Sequence, residues 1–176
     1  YKNCCMRRDQ IAASREVSLD TGDAALLSAL YEFAQQPRYQ GEITRAMEIY
    51  WGGRFDLRGI TADDADDMRR TLEWFVHDWR VGEERRHPID RFIETETKDY
   101  PAEALETLHA WANSVLALLR VEGRSAGHLR VYDLLHEEMR DISDVALARD
   151  AREGDLVAGR LFTLGGEQRL SLMTML

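Results

Sequence analysis

The sequence predicts an α+β protein with its helices first and its strands second. Two observations carry this. Apolar residues recur at spacings of three and four from Ser18 to about Val115, and at close to every second position after about Leu116. Glycine pairs also fall where each pattern needs a break, at Gly52-Gly53 and Gly165-Gly166. The expected architecture is an N-terminal helical module of about four to five helices over residues 17–115. A small five-stranded antiparallel β-barrel-like module follows over residues 116–176.

The helical elements follow in order. Asp20 or Thr21 can cap a first helix that carries Leu26, Leu27, Leu30, Phe33 and Ala34 on one face, with Pro37 past its end. A second, Glu42 to Trp51, buries Ile43, Met47 and Tyr50 or Trp51 and stops at Gly52-Gly53. Thr61 and Asp64 resemble a capping box, and Asp63, Asp66 and Asp67 suit the positive end of a helix dipole. The stripe behind them is Met68, Leu72, Phe75, Val76 and Trp79. A short helix around Ile89–Ile93 follows Pro88. Pro101 then opens a last one, whose Leu105, Leu108, Trp111, Ala112 and Val115 face the core.

The strand half reads as hairpins. Leu119–Val121 and Leu129–Val131 flank a turn at Gly123–Gly127, and Met139–Ala148 forms a further strand. Glu153-Gly154-Asp155 turns into Leu156–Leu164, and Gly165-Gly166 leads to Gln168–Met175. Five short strands cannot leave many open edges, so a partly closed barrel is expected.

Composition bounds the function. Hydrophobic residues at 44% and charged residues at 31% place the 176-residue chain among folded globular proteins rather than disordered ones. No apolar run approaches the roughly 20 residues of a membrane-spanning helix. The net charge of -9 argues against a general nucleic-acid binder. That charge is concentrated: residues 17–119 hold 20 acidic and 11 basic residues, whereas residues 120–176 hold 10 and 8. With two adjacent cysteines, Cys4 and Cys5, a disulfide-stapled secreted scaffold is not expected, and a cytoplasmic location is.

Adjacent thiolates can supply half of a tetrahedral zinc site. The string Tyr1-Lys2-Asn3-Cys4-Cys5 resembles the end of the SEC-C motif, the zinc element named for the C-terminus of the SecA preprotein translocase. Tyr1, Lys2, Cys4 and Cys5 match its closing positions, so residues 1–16 read as the tail of a truncated knuckle plus a linker. Leu72–Trp79, Pro88–Ile93, Leu108–Ser114 and Gly154–Leu161 look like the body of bacterial proteins that carry such a motif. The resemblance implies zinc in the longer protein, held by Cys4, Cys5 and two cysteines upstream. It also implies contacts with protein partners, and no assigned reaction.

Other chemistry is thin. Asp63, Asp64, Asp66 and Asp67 fail the spacing of a calcium loop and read as helix-start acids. His77, His87, His109, His128 and His136 are scattered, with no His-Glu-x-x-His pattern. His136-Glu137-Glu138 has no nearby nucleophile. Trp79 and Trp111 lie on apolar stripes, whereas Trp74 lies off its stripe and is the candidate interaction residue. Two functions are expected from this. The first is a non-catalytic cytoplasmic zinc-knuckle protein that serves as a protein-interaction module. The alternative is nucleic-acid or ribosome association through the basic knuckle and the small β-barrel, which carries Arg120, Arg124, Arg130, Arg140, Arg149, Arg152, Arg160 and Arg169.

Overall fold

The structure, a computed structural model, describes residues 21–53, 64–171 and 174. Five helices come first: α1 (Thr21–Ala34), α2 (Gln40–Tyr50), α3 (Ala65–Asp78), α4 (Pro88–Glu96) and α5 (Ala102–Ala112). A 3-10 turn, Pro37–Tyr39, leads into α2. The strands are β1 (Val115–Ser125), β2 (His128–Asp133), β3 (Glu138–Ser143), β4 (Leu156–Leu164) and β5 (Glu167–Leu170). A sixth helix, α6 (Val145–Asp150), lies between β3 and β4. The chain divides into a helical unit, Thr21–Ala112, and a β-unit that starts at Asn113.

In the helical unit the apolar stripes converge as the sequence predicts. Leu30, Phe75, Val76 and Leu108 have no exposed surface, and Ile89 and Phe92 are almost as buried. Phe33 ties the core together, with ring centroids 5.4 Å from both Tyr39 and Phe92. Arg38 covers that edge, its guanidinium 4.7 Å from the Phe33 ring and 3.6 Å from Glu96. Gly52 and Gly53 adopt φ of 62° and 73° after α2, a left-handed stop that L side chains resist. The predicted Thr61 cap lies outside the described residues. Asp64 precedes α3 without a side-chain capping bond.

Three expected element boundaries need correction. Val115 does not close the last helix toward the core. Helix α5 ends at Ala112, and Val115 opens β1 with 42% of its surface exposed. Asn113 and Ser114 break the helix, and a run of Val and Leu takes up extended backbone. The strand expected at Met139–Ala148 stops at Ser143. Asp144 then caps α6, its side chain accepting from the Leu147 N–H at 2.8 Å, and Ala146-Leu147-Ala148 go inward as one helical turn. The first hairpin is longer than expected, because β1 runs through Gly123 with a register shift between Val121 and Gly123.

The five strands form a mixed sheet. β1 pairs antiparallel with β2 and with β4, β2 with β3, and β4 with β5. The order β1-β2-β3-β5-β4 therefore returns to its start. Antiparallel pairing throughout was expected, but the seam between β3 and β5 is parallel, with Ile142 opposite Gln168. The reason is topological: α6 and the connection after it carry the chain back, so β5 meets β3 running the same way. Leu119, Val121, Leu129, Val131, Ile142 and Val157 fill the interior, and Leu147 of α6 joins them. Gly159 lets Thr174 approach closely, since a Cβ at Gly159 would sit 2.6 Å from Thr174 Oγ1.

These packing relations set expected stabilities. Phe75→Ala should cost about 3–5 kcal/mol, the usual range for emptying a fully buried aromatic site. Asp144→Ala should cost about 1 kcal/mol through the lost cap. Urea denaturation monitored by circular dichroism measures both, and equal effects would contradict this assignment of the two residues.

Candidate interaction surfaces

The inward row of β2 ends on a carboxylate. Leu129 and Val131 point to the interior, and Asp133, two residues on, has no exposed surface. Its Oδ1 accepts the backbone N–H of Leu135 at 3.0 Å and of His136 at 3.2 Å. Its Oδ2 faces His136 Nδ1 at 2.8 Å and accepts from Arg140 Nε at 3.0 Å. Arg140 reaches on to Glu138. Burial by itself would raise the Asp133 pKa. The His136 hydrogen bond, the two backbone N–H groups and Arg140 outweigh it and hold the carboxyl below the usual aspartate value. The turn between β2 and β3 is built on this group, and Glu137 within it takes φ of 56°. Sequence reasoning singled out His136 and its acidic neighbours but missed Asp133. The available signal was its position in the alternation, where a charge stands in an apolar row.

Outside, one part of the same sheet is apolar, beside charged positions such as Arg130 and Asp141. On β1 the residues alternating with the buried ones are Leu116, Leu118 and Arg120. Register places Arg120 opposite both Tyr132 and Leu156, and Tyr132 opposite Met139. One row thus crosses four strands as Met139, Tyr132, Arg120 and Leu156. The Leu134 N–H bonds Leu118 O at 2.7 Å, which extends the face by a second row. Leu116 is 59% exposed and Leu156 51%, large values for leucine on a sheet. Arg120 sits within the row, its guanidinium 5.4 Å from the Tyr132 ring centroid and its Nε 2.6 Å from Glu122. Aromatic and arginine side chains amid aliphatic surface are the usual composition of a protein contact.

The helical unit places Trp74, the sequence-predicted interaction residue, half-buried against its core. It belongs to a line of rings. Trp51 and Tyr50 have centroids 6.4 Å apart, Tyr50 and Trp74 5.8 Å, and Trp74 and Trp79 5.5 Å. Trp51 Nε1 donates to Thr71 Oγ1 at 3.1 Å, and Trp79 Nε1 to Glu42 Oε2 at 3.0 Å. The exposed members of this neighbourhood are Ile49 at 58% and Tyr50 at 40%. Cys4 and Cys5 lie outside the described residues. Among the described residues no three His, Cys, Asp or Glu side chains group as a metal site. No described helix is long and apolar enough to cross a membrane.

The comparison with known families turns on the body of the chain. Residues 23–176, from the first helix onward, match one family. The chain belongs to DUF7986, a family of unknown function. This corrects the SEC-C resemblance. The match covers the helices and strands and leaves out Tyr1, Lys2, Cys4 and Cys5, the only residues that matched the zinc motif itself. Four positions at the edge of a motif carry little information, and aromatic residues at helical spacing recur in unrelated cores. Membership in DUF7986 brings no assigned ligand or reaction. No curated protein and no solved structure matches the chain.

Asp133 generates a pH dependence. Its folded pKa is lowered, so its contribution to stability is fully present above the unfolded value of about 3.9. It is lost as pH falls through the lower folded value. Asp133→Asn should cost about 3 kcal/mol at neutral pH by leaving Arg140 under-compensated. It should also remove this component of the decline in stability below about pH 4. Urea titrations of both proteins between neutral and acid pH measure the difference.

Proposed function

We propose that this protein is a non-catalytic cytoplasmic module for protein interaction, with the outer face of the β-unit as its contact surface. The observation that supports this reading is the apolar row across four strands, with Tyr132 and Arg120 at its middle. We read the closed sheet as a small barrel whose inside is its core and whose outside is its recognition face. Truncating a contact residue of this kind, desolvated on binding, commonly costs more than 1 kcal/mol of affinity.

The nucleic-acid reading needs basic side chains gathered on one face. The arginines of the β-unit are instead interleaved with acids. Arg120 pairs with Glu122, Arg140 with Asp133 and Glu138, Arg149 with Asp150, and Arg169 with Glu167. Arg124 donates to the carbonyl of Arg149 at 2.7 Å, Arg160 is only 5% exposed, and Arg130 stands opposite Asp141. This interleaving favours a protein partner over a phosphate backbone.

The test is stoichiometric co-purification of the full chain with a partner from its native cells, repeated with Tyr132→Ala and Leu156→Ser. The same partner should be recovered with the parent protein and lost from both variants while circular dichroism is unchanged. Recovery of nucleic acid in place of protein, released by moderate salt, would reverse the order of the two readings.

A further inference from the structure

A second surface, on the helical unit, has its own chemistry. Ile49 and Tyr50 at the end of α2 are exposed, and Tyr50 leads inward to Trp74. The Trp74 indole Nε1 has no hydrogen-bond partner among the described residues, whereas Trp51 and Trp79 each donate to a side chain. An indole N–H at a half-buried ring beside exposed apolar surface is available to an incoming carbonyl oxygen.

The charge around these rings is one-sided. Helices α2 and α3 carry six acids, Glu42, Glu48, Asp66, Asp67, Glu73 and Asp78, against Arg45, Arg69 and Arg70. Two of those arginines are engaged within α3: Arg69 lies 3.6 Å from Asp66, and Arg70 2.5 Å from Asp67. Glu48 is exposed beside Ile49 and has no ion pair among the described residues. Burial raises the Tyr50 pKa, and Asp67 and Glu73 add to that rise while Arg70 opposes it, so two carboxylates lie close enough to act on the ring. Aromatic faces ringed by carboxylates select cations on electrostatic grounds, and arginine stacks on such rings as well as pairing with the acids.

We propose that the Ile49–Tyr50 edge, backed by Trp74 and Glu48, docks a basic segment of a partner protein, with an arginine over Tyr50 and a backbone carbonyl accepting from Trp74 Nε1. This surface is separate from the outer face of the β-unit, and it can fail without affecting that reading. An aliphatic residue of the same segment would cover Ile49. The net excess of acids over residues 17–119 attracts such a segment at longer range.

The probe is a synthetic peptide alternating arginine with leucine, titrated into the full chain by calorimetry. Its counterpart with glutamate in place of arginine is the control. Saturable binding is expected for the arginine peptide alone, weakening as salt rises. Tyr50→Ala should weaken it about tenfold, a typical loss at a contact residue. Glu48→Gln, an exposed and fold-neutral change, should weaken it several-fold, and Trp74→Phe should do so by removing the N–H while keeping a ring. Glu103→Gln on the exposed face of α5 should leave it unchanged. Equal effects of Glu48→Gln and Glu103→Gln would reduce the attraction to overall charge and overturn the proposal. Binding of the glutamate peptide would do the same, as would self-association of the chain abolished by Tyr50→Ala.

Discussion

A carboxylate taken wholly out of water costs several kcal/mol unless its lone pairs are answered, and Asp133 is answered four times. Much of the β-unit depends on that arrangement. Two of the answers are backbone N–H groups of the turn, so the charge fixes where β2 ends and β3 begins. A third, Arg140, lies on β3 itself and holds that strand in register against β2. The register then decides which side chains meet outside, bringing Tyr132 against Met139 on one side and Arg120 on the other. The polar knot and the apolar outer face are thus two sides of one hairpin.

On the readings proposed above, the two surfaces would divide the chemistry of recognition between them. On the β-unit, acids and arginines neutralise each other locally, which leaves shape and apolar area to discriminate among partners. On the helical unit, carboxylates exceed arginines around a line of rings, so charge selects before shape does.

The helices were largely legible because their signal is redundant. Leu26, Leu30, Phe33 and Ala34 repeat one face over more than two turns, and Pro88, Pro101 and Gly52-Gly53 mark ends by steric rules alone. Helix α6 was not legible, since six residues give too little periodicity, and Ala-Leu-Ala reads equally as strand. Only Asp144 marked it, through a cap of side chain on backbone. The parallel seam at Ile142 and Gln168 is a property of the path between strands, which no local pattern encodes. Asp133 was hidden for another reason: composition treats aspartate as surface, and its burial depends on His136 and Arg140 arriving from later in the chain. Trp74 was singled out by its offset from the stripe, yet the exposed surface belongs to Ile49 and to Tyr50, whose ring meets Trp74 from another helix. Cys4 and Cys5 drew notice as a rare pair, whereas family membership rests on the unremarkable remainder.

The return of β4 to β1 bears on how the chain is made. Ribosomal synthesis delivers β1, β2 and β3 first, and these can zip as successive hairpins. The other flank of β1 stays unpaired until Leu156–Leu164 has emerged, with β5 closing last. Through that interval a strand rich in Val and Leu presents bare backbone to solvent, a state prone to edge-to-edge association. The nascent protein is therefore most vulnerable in the interval before β4 emerges, and a chain stopped short of β4 would keep the exposed flank for good.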